Sequence, residues 1–350
     1  MSTTTTTSDH SRIPHTFRAY VHEAFGDARE LIKLRTDITH KPLQPGYVRI
    51  KVHAAALNPI DCNVIQWGLA FPATTSNPTP ENPSRIGFDA AGTIVAAGAD
   101  VARTSDLQVG DAVFAMAYYG SLGTIAEYVD LDANSVARKP TNLSFNEAAG
   151  VPVAALTSFQ ALVEFGQVKR GDRVLILGGS SATGSFGIQL AKLYGAFVIT
   201  TTSARNTDLV KAFGADQVID YTTHNWADVL ERHSIDVIYD CGVEPNAWND
   251  AAQTILKPQT GKFLTITAQN EPIESPIGAE LIEVRCKPRA TDLAKLTNRI
   301  EANELKTPID SVHSFENALD GVKIQMSNRA RGKIIIEVIQ SLTRNYPMES

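Results

Sequence analysis

The sequence has little cysteine, no excess of positive charge and no long apolar run. Its three cysteines, Cys62, Cys241 and Cys286, are too scattered in 350 residues to predict a disulfide framework or a cysteine-based metal site. The 38 Asp and Glu residues outnumber the 32 Lys and Arg residues, and the net charge of −6 provides no attraction to nucleic acid or to an anionic membrane. No apolar run reaches the ~18 residues that a membrane span needs. We therefore expect no nucleic-acid partner, no membrane partner and a reducing, cytoplasmic setting.

The beginning of the chain lacks the apolar segment of a secretory signal. Residues 1–14 are polar and rich in threonine, which predicts a disordered tail. A short organellar transit peptide is the alternative, and the few arginines there disfavour it. The length of the chain allows two domains, each with a core of its own.

The most informative pattern lies near the middle of the chain, where an apolar run breaks into small residues. A strand is predicted at 174–177, and Phe186, Leu190 and Leu193 follow with helical spacing. A strand, a small-residue turn and a helix start form the arrangement that seats a pyrophosphate in dinucleotide-binding folds. A purely structural turn is the alternative, because Ser181 stands where the middle glycine of the pattern belongs. The predicted dinucleotide-binding residues of this turn are Gly179, Ser180, Ser181, Ala182, Thr183 and Gly184.

Strands and helices alternate after this turn. Gly195 ends the first helix, and further buried strands are predicted at 196–202, 216–221, 235–240 and 261–267. Regular alternation of this kind predicts an α/β fold with a doubly wound parallel sheet.

The end of the second strand indicates which dinucleotide is bound. An NAD site usually has a carboxylate there, which binds the ribose 2′-hydroxyl and would repel a 2′-phosphate. This chain instead has Ser203 and Arg205, a hydroxyl and a guanidinium that suit a phosphate. We therefore predict NADPH as the cofactor. A solvated Arg205 without a ligand is the alternative.

The chain on either side of the nucleotide-binding segment has a different pattern. Residues 47–53 alternate with the period of a half-buried strand, and short strands are predicted at 92–95 and 110–115. Four prolines predict a long loop at 71–85. Other elements are expected as follows: a helical stretch from the capping box at Ser144 and Glu147 to Phe165, helices at 291–303 and 314–326, and a last strand at 333–339.

Four short phrases occur in order along the chain: Ala55–Asp61, Gly87–Gly92, Gly123–Tyr128 and Gly214–Tyr221. Together they resemble one family, the medium-chain dehydrogenase/reductases, and within it the zinc-free quinone oxidoreductases. The resemblance covers residues 17–340 and implies a GroES-like, β-rich catalytic domain (15–143 and 291–350) around a Rossmann domain (144–290). Because relatives of this kind are commonly dimers, a homodimer is expected.

The chain departs from the alcohol dehydrogenases of this family where they bind catalytic zinc. The matching positions hold Asn58, Phe88 and Val153, and none of these residues is a usable zinc ligand, so no metal site is expected. Reduction of a simple aldehyde builds an alkoxide that needs a Lewis acid or a proton donor. A quinone or an α,β-unsaturated carbonyl spreads the incoming charge itself. The resulting hypothesis is an NADPH-dependent quinone reductase that transfers a hydride from nicotinamide C4, with a 2-alkenal or enoyl reductase and a non-catalytic NADPH-binding protein as alternatives.

The resemblance also implies site residues. Asn58, in one motif with Asp61, would lie beside the nicotinamide and donate a hydrogen bond to a developing oxyanion; a turn-forming role before Pro59 is the alternative. Thr157 would lie near the nicotinamide face, or be a buried helix hydroxyl. Tyr221 would lie near the 2′-phosphate, or in the core. The remaining cofactor-binding residues that the resemblance implies are Cys241, Gly242, Ile266, Thr267 and Lys333.

Some relatives that reduce enoyl thioesters carry a tyrosine proton donor in the segment after the Asn-Pro motif. This chain has Trp67 and no tyrosine in that segment. The enoyl-thioester alternative is therefore disfavoured.

Overall fold

The computed structural model describes residues 13–70, 77–118 and 123–339. Most of the predicted tail and the first part of the predicted proline-rich loop lie outside the described residues. The strands are β1 (Thr16–His22), β2 (Lys33–Thr39), β3 (Tyr47–Leu57), β4 (Ser84–Arg85), β5 (Asp89–Ala97), β6 (Ala112–Met116), β7 (Tyr128–Asp132), β8 (Val136–Arg138), β9 (Arg173–Leu177), β10 (Phe197–Thr202), β11 (Gln217–Asp220), β12 (Val237–Asp240), β13 (Lys262–Thr265), β14 (Glu280–Glu283), β15 (Ile309–Ser314) and β16 (Lys333–Glu337).

The α-helices join and cover these strands. They are α1 (Ala28–Leu31), α2 (Pro59–Trp67), α3 (Val101–Thr104), α4 (Phe145–Ala149), α5 (Pro152–Phe159), α6 (Ala182–Leu193), α7 (Thr207–Ala212), α8 (Trp226–Val229), α9 (Gln253–Ile255), α10 (Ala290–Glu301) and α11 (Ala318–Met326).

The nucleotide-binding segment forms a six-stranded parallel sheet in the order β11-β10-β9-β12-β13-β14. Apolar side chains of β9, such as Val174 and Ile176, are fully buried, as expected for a strand covered on both faces. Successive strands are added outward from β9 on one side and outward from β12 on the other, so the order of the strands reverses between β9 and β12. In open α/β sheets this switch point is where a ligand binds. The predicted doubly wound sheet is confirmed.

One predicted helical segment differs in the structure. The stretch from Ser144 to Phe165 is broken at Gly150 and resumes at Pro152, because proline lacks the N–H group that a continuous helix requires. Its last turn, Gln160–Phe165, widens into a π-helix. Residues 266–279, for which no element was predicted beyond the end of the strand at 261–267, form turns and bends that join the parallel strands β13 and β14.

Strands from the N-terminal and C-terminal parts of the described chain form a second sheet, whose order is β15-β16-β3-β5-β6-β8, with β7 also paired to β3. Strand β16 is antiparallel to β3 and pairs Ile334 with Leu57, so Lys333 lies beside Asn58. A small sheet, β2-β1-β4, packs alongside, and the Tyr20 hydroxyl donates to the Phe315 carbonyl at 2.7 Å. This β-rich unit confirms the expected fold class.

Helix α5 lies between the two large sheets. Its buried residues Ala155 and Leu156 belong to one apolar core with Ala91 of β5 and Ile176 of β9. Helix α5 therefore packs against β5 and β6 of the β-rich unit and against α6 of the parallel-sheet unit. The domain boundaries given above stay a prediction.

Candidate active site

The glycine turn lies at the switch point. Two of its glycines, Gly178 and Gly184, have no space for a side chain. A Cβ atom on Gly178, whose φ is +78°, would lie 2.7 Å from the Gly242 Cα atom. A Cβ atom on Gly184 would lie 2.3 Å from the Gly178 carbonyl oxygen. Ser181 caps helix α6, and its hydroxyl accepts from the Gly184 amide at 3.0 Å. Ser181, which stands where the pattern has a glycine, therefore serves as the N-cap of helix α6.

A polar network follows the end of β10. The Ser180 hydroxyl accepts from the Thr202 hydroxyl at 3.0 Å and from the Asn206 amide at 3.1 Å. The same amide donates to Ser203 at 3.3 Å, while the buried Asn206 Oδ1 atom has no hydrogen-bond partner. Neither burial nor hydrogen bonding of Asn206 could be inferred from the sequence, which presents it only as a loop residue.

Arg205 and Tyr221 lie at the same edge of the sheet. Arg205 is exposed and makes no hydrogen bond or ion pair within the described residues. The Tyr221 amide donates to the Thr202 carbonyl, and its side chain is 59 % exposed, which excludes the core alternative. A free guanidinium, hydroxyl groups and an unpaired buried acceptor fit the phosphorylated ribose of a dinucleotide.

The ends of β12 and β13 complete this edge. The Asp240 carboxylate accepts from the amides of Gly242 and Glu244, both at 3.0 Å, and thereby folds the loop after β12. The Cys241 thiol donates to the Leu177 carbonyl at 3.0 Å. Ile266 and Thr267 follow β13, and the buried Thr267 Oγ1 atom has no hydrogen-bond partner.

A buried polar cluster lies in the β-rich unit. The Lys333 ammonium, only 2 % exposed, donates to the Asp89 Oδ2 atom at 2.8 Å and to the Asn58 Oδ1 atom at 2.5 Å. The Asn58 amide donates to the same Asp89 oxygen at 2.9 Å. The resemblance had implied that Lys333 binds the cofactor, but the ammonium instead belongs to this cluster. Asp89 was missed, although it is the one acid within the phrase Gly87–Gly92.

The amide of Asn58 and the hydroxyl of Thr157 are both engaged. The second amide hydrogen of Asn58 is directed to the Ala56 carbonyl, at 3.4 Å. The Thr157 hydroxyl donates to the Val153 carbonyl at 2.7 Å. This geometry does not support Asn58 as a hydrogen-bond donor to an oxyanion, and it favours the buried helix hydroxyl for Thr157.

Asp61 lies beneath this cluster and titrates near neutrality. Its Oδ2 atom accepts from the Asn58 backbone amide at 2.7 Å, while its buried Oδ1 atom has no hydrogen-bond partner. Burial raises the pKa of Asp61 to about 7, the negative charge of Asp89 adds to the increase, and Lys333 opposes it. Burial of the carboxyl group is therefore the main cause of its raised pKa.

The three positions that match zinc ligands in the alcohol dehydrogenases converge on Asp89. The Val153 amide donates to Asp89 Oδ1 at 2.7 Å, Asn58 donates to Oδ2, and Phe88 precedes Asp89 in the chain. In residues 13–70, 77–118 and 123–339 there is no group of three or more His, Cys, Asp and Glu side chains placed to hold a metal ion. Over the same ranges, the helices are too short or too polar to cross a membrane.

Comparisons with known proteins agree with this architecture. Residues 44–141 match the alcohol dehydrogenase GroES-like domain, and residues 213–336 match the family model described as zinc-binding dehydrogenase. The 2-methylene-furan-3-one reductase of Solanum lycopersicum is 32 % identical, over 95 % of this chain and 82 % of that protein. The chloroplastic NADPH-dependent alkenal/one oxidoreductase of Arabidopsis thaliana is 33 % identical, over 93 % of this chain and 80 % of that protein.

A solved structure, the quinone oxidoreductase from Coxiella burnetii, superposes with a TM-score of 0.79 and 27 % identity, over 93 % of this chain and all of that one. Together with the two domain matches and the near-complete coverage of the sequence relatives, this likeness settles the family. The chain belongs to the medium-chain dehydrogenase/reductase superfamily, in the branch that resembles the quinone oxidoreductases.

Proposed function

We propose that the protein is an NADPH-dependent, zinc-independent reductase of quinones. Bound NADPH would supply a hydride from nicotinamide C4. The turn from Gly179 to Gly184, with Gly242 beside it, would hold the pyrophosphate at the start of helix α6. Ser203, Arg205 and Tyr221 would hold the 2′-phosphate.

The observation that carries this proposal is the set of side chains around Asp89. An amide, a phenyl ring and an isopropyl group, from Asn58, Phe88 and Val153, stand where zinc ligands would be needed. Such a wall offers no Lewis acid to a developing alkoxide. An acceptor that delocalises the negative charge over a ring or a conjugated carbonyl needs none, and its product takes a proton from water.

Asn58, Asp61 and Thr157 form the protein side of the proposed reaction site. The Asn58 side chain would line the site in one fixed orientation, because it is hydrogen-bonded to both Asp89 and Lys333. Asp61 lies behind Asn58, and its carboxylate accepts from the Asn58 backbone amide. Thr157 would contribute only its place in the second turn of helix α5, since its hydroxyl donates to the Val153 carbonyl. Ile266 and Thr267 would contact the cofactor from the end of β13.

Reduction of α,β-unsaturated carbonyls is the second candidate. It is favoured by the two sequence relatives, whose names describe a 2-methylene-furan-3-one reductase and an alkenal/one oxidoreductase. The same wall serves this reaction, because an enolate is also a delocalised anion. The two candidates differ in the acceptor and not in the site.

The deciding experiment measures NADPH oxidation with benzoquinone, naphthoquinone, acrolein and a crotonyl thioester. We expect the highest kcat/KM with a quinone. A higher value with acrolein would put the enone reaction first, and NADPH binding without turnover of any acceptor would support a non-catalytic binding protein. Stoichiometric zinc in the purified protein, with ethanol oxidation lost on chelation, would contradict the zinc-independent reaction.

A homodimer in the cytoplasm completes the proposal. Strand β14 is the last strand of the parallel sheet, and its outer edge has no partner strand among the described residues, so a second copy could pair there. Light scattering of the purified protein tests the dimer. Three unpaired thiols suit a reducing compartment, and imaging of a tagged chain distinguishes the cytoplasm from an organelle.

A further inference from the structure

We propose that Asp89 is a positioning residue that couples the wall of the reaction site to the cofactor turn. The proposal deepens the function proposed above and rests on it for its kinetic consequences. Asp89 is fully buried at the start of β5, and both of its oxygens are used. Its partners come from three other parts of the chain: the end of β3, helix α5 and strand β16.

The two oxygens of Asp89 serve opposite sides of the site. Oδ2 accepts from the Asn58 amide at 2.9 Å and from the Lys333 ammonium at 2.8 Å. Oδ1 accepts from the backbone amide of Val153 at 2.7 Å, in the first turn of helix α5. Asp89 therefore fixes the orientation of Asn58 and the start of α5 with one carboxylate.

Helix α5 extends this connection to the glycine turn. The Val153 carbonyl accepts from the Thr157 hydroxyl at 2.7 Å, and one residue later the Ser158 hydroxyl donates to the Thr183 carbonyl at 2.7 Å. Thr183 belongs to the turn predicted to hold the pyrophosphate. A continuous path of hydrogen bonds and helix backbone therefore runs from Lys333 through Asp89 to the cofactor turn.

A buried ion pair that only balances charge differs from one that positions other groups. An ion pair of the first kind can be replaced by two neutral side chains with little loss, because no unpaired charge stays buried. Asp89 also accepts from two groups besides Lys333, and a neutral amide has one acceptor oxygen in place of two. Removing both charges should therefore restore stability but not the alignment of Asn58 and α5.

The test compares Asp89→Asn, Lys333→Met and the double variant. We expect each single change to lower the melting temperature and the double variant to recover most of it. In all three, kcat with the preferred acceptor should fall by about tenfold to a hundredfold, since small misplacements of reacting groups have effects of this size. The acceptor KM and the NADPH Kd, measured by nicotinamide fluorescence, should stay within about threefold, because the variants change the alignment of the two sites but remove no group proposed to contact the acceptor or the phosphates.

A second readout needs neither substrate nor cofactor. Hydrogen exchange of helix α5, residues 152–159, should be faster in Asp89→Asn and in the double variant than in the wild type. The matched control is the pair Arg49 and Asp130, which joins β3 to β7 with contacts of 2.7 and 2.8 Å. Neutralising that pair as Arg49→Met and Asp130→Asn should change neither kcat nor exchange of the helix.

A double variant with wild-type kcat would overturn the proposal, as would equal kcat losses in the control pair or unchanged exchange of the helix. If Asp89→Asn alone does not fold, both kcat and hydrogen exchange of the helix are compared between the double variant and the wild type. A wild-type protein that turns over no acceptor would refute the proposed function, whereas the exchange experiment would still decide whether Asp89 holds the helix.

Discussion

Asp61 gives the site a dependence on pH that can be measured through stability. Its pKa is raised to about 7 in the folded protein, so the folded state binds this proton more tightly than the unfolded state. Stability from this group is complete below about pH 4 and is lost as the pH rises to about 7. The slope is at most about 1.4 kcal/mol per pH unit.

The variant Asp61→Asn removes this proton and keeps an acceptor for the Asn58 amide. We expect its free energy of unfolding, relative to the wild type, to improve as the pH rises from 5 to 7 and then to level off. Urea titrations at several pH values measure the difference, in which other titrating groups cancel. Parallel stability curves for the two proteins would show that Asp61 is already ionised at pH 5.

If the end of β10 binds the 2′-phosphate, Arg205 gives the protein its preference for NADPH over NADH. The variant Arg205→Ala should raise the KM for NADPH by about tenfold to a hundredfold, the effect of losing one charged hydrogen bond. The KM for NADH should not change, since NADH has no phosphate there. Arg103→Ala, on α3 of the other unit, is the control. An equal effect on both cofactors would contradict the assignment.

Residue types could be predicted from the sequence, but their orientations could not. The small residues from Gly179 to Gly184 were predicted because steric limits leave few alternatives in such a turn. Lys333 was predicted as a site residue, yet its partners Asn58 and Asp89 come from the opposite end of the chain. Only the pairing of β16 with β3 brings them together, and no local pattern encodes that contact.

The turn between β9 and α6 is the element whose shape matters most for cofactor binding. In Gly184→Ala, the new methyl group would lie 2.3 Å from the Gly178 carbonyl oxygen and 2.8 Å from the Gly179 Cα atom, so the backbone must shift. We expect the NADPH Kd to rise at least about tenfold, because the backbone amides at the start of α6 would no longer point at the phosphates. Gly46→Ala is the control, because a Cβ atom there meets nothing within 4 Å. Unchanged NADPH binding in Gly184→Ala would show that the phosphates lie elsewhere.

Hydrophobic periodicity predicted the position of one strand but not the ends of a buried helix. The alternation of 47–53 correctly predicted β3, because one of its faces is more exposed than the other. The break at Gly150 and the widened turn after Phe159 were missed, since α5 is apolar on nearly all sides and packs between two sheets. A helix buried all round has no polar face to mark its ends.

At the scale of the whole molecule, helix α5 joins the two units. The β-rich sheet supplies Asp89 and Lys333, the parallel sheet supplies the glycine turn, and α5 is hydrogen-bonded to both. Each unit has a core of its own, and a third apolar core, which includes Ala91 of β5 and Ile176 of β9, connects them. Apolar packing therefore holds the units together, while the directional contacts of Asp89 set the orientation of Asn58 and of the first turn of α5.

Two of the three cysteines, Cys62 and Cys241, are buried and Cys286 is half-buried, which predicts how the whole protein resists the reactive carbonyls that it is proposed to reduce. Burial raises the pKa of Cys62 and of Cys286 to about 12 and raises that of Cys241 further. Because the thiolate is the nucleophile, these cysteines should react with acrolein near pH 7 more than about a hundredfold more slowly than in the unfolded chain. Intact-mass spectra of native and urea-unfolded protein measure the two rates. A native thiol that is alkylated as fast as an unfolded one would contradict this protection, and its mass-mapped position would identify which of the three is accessible.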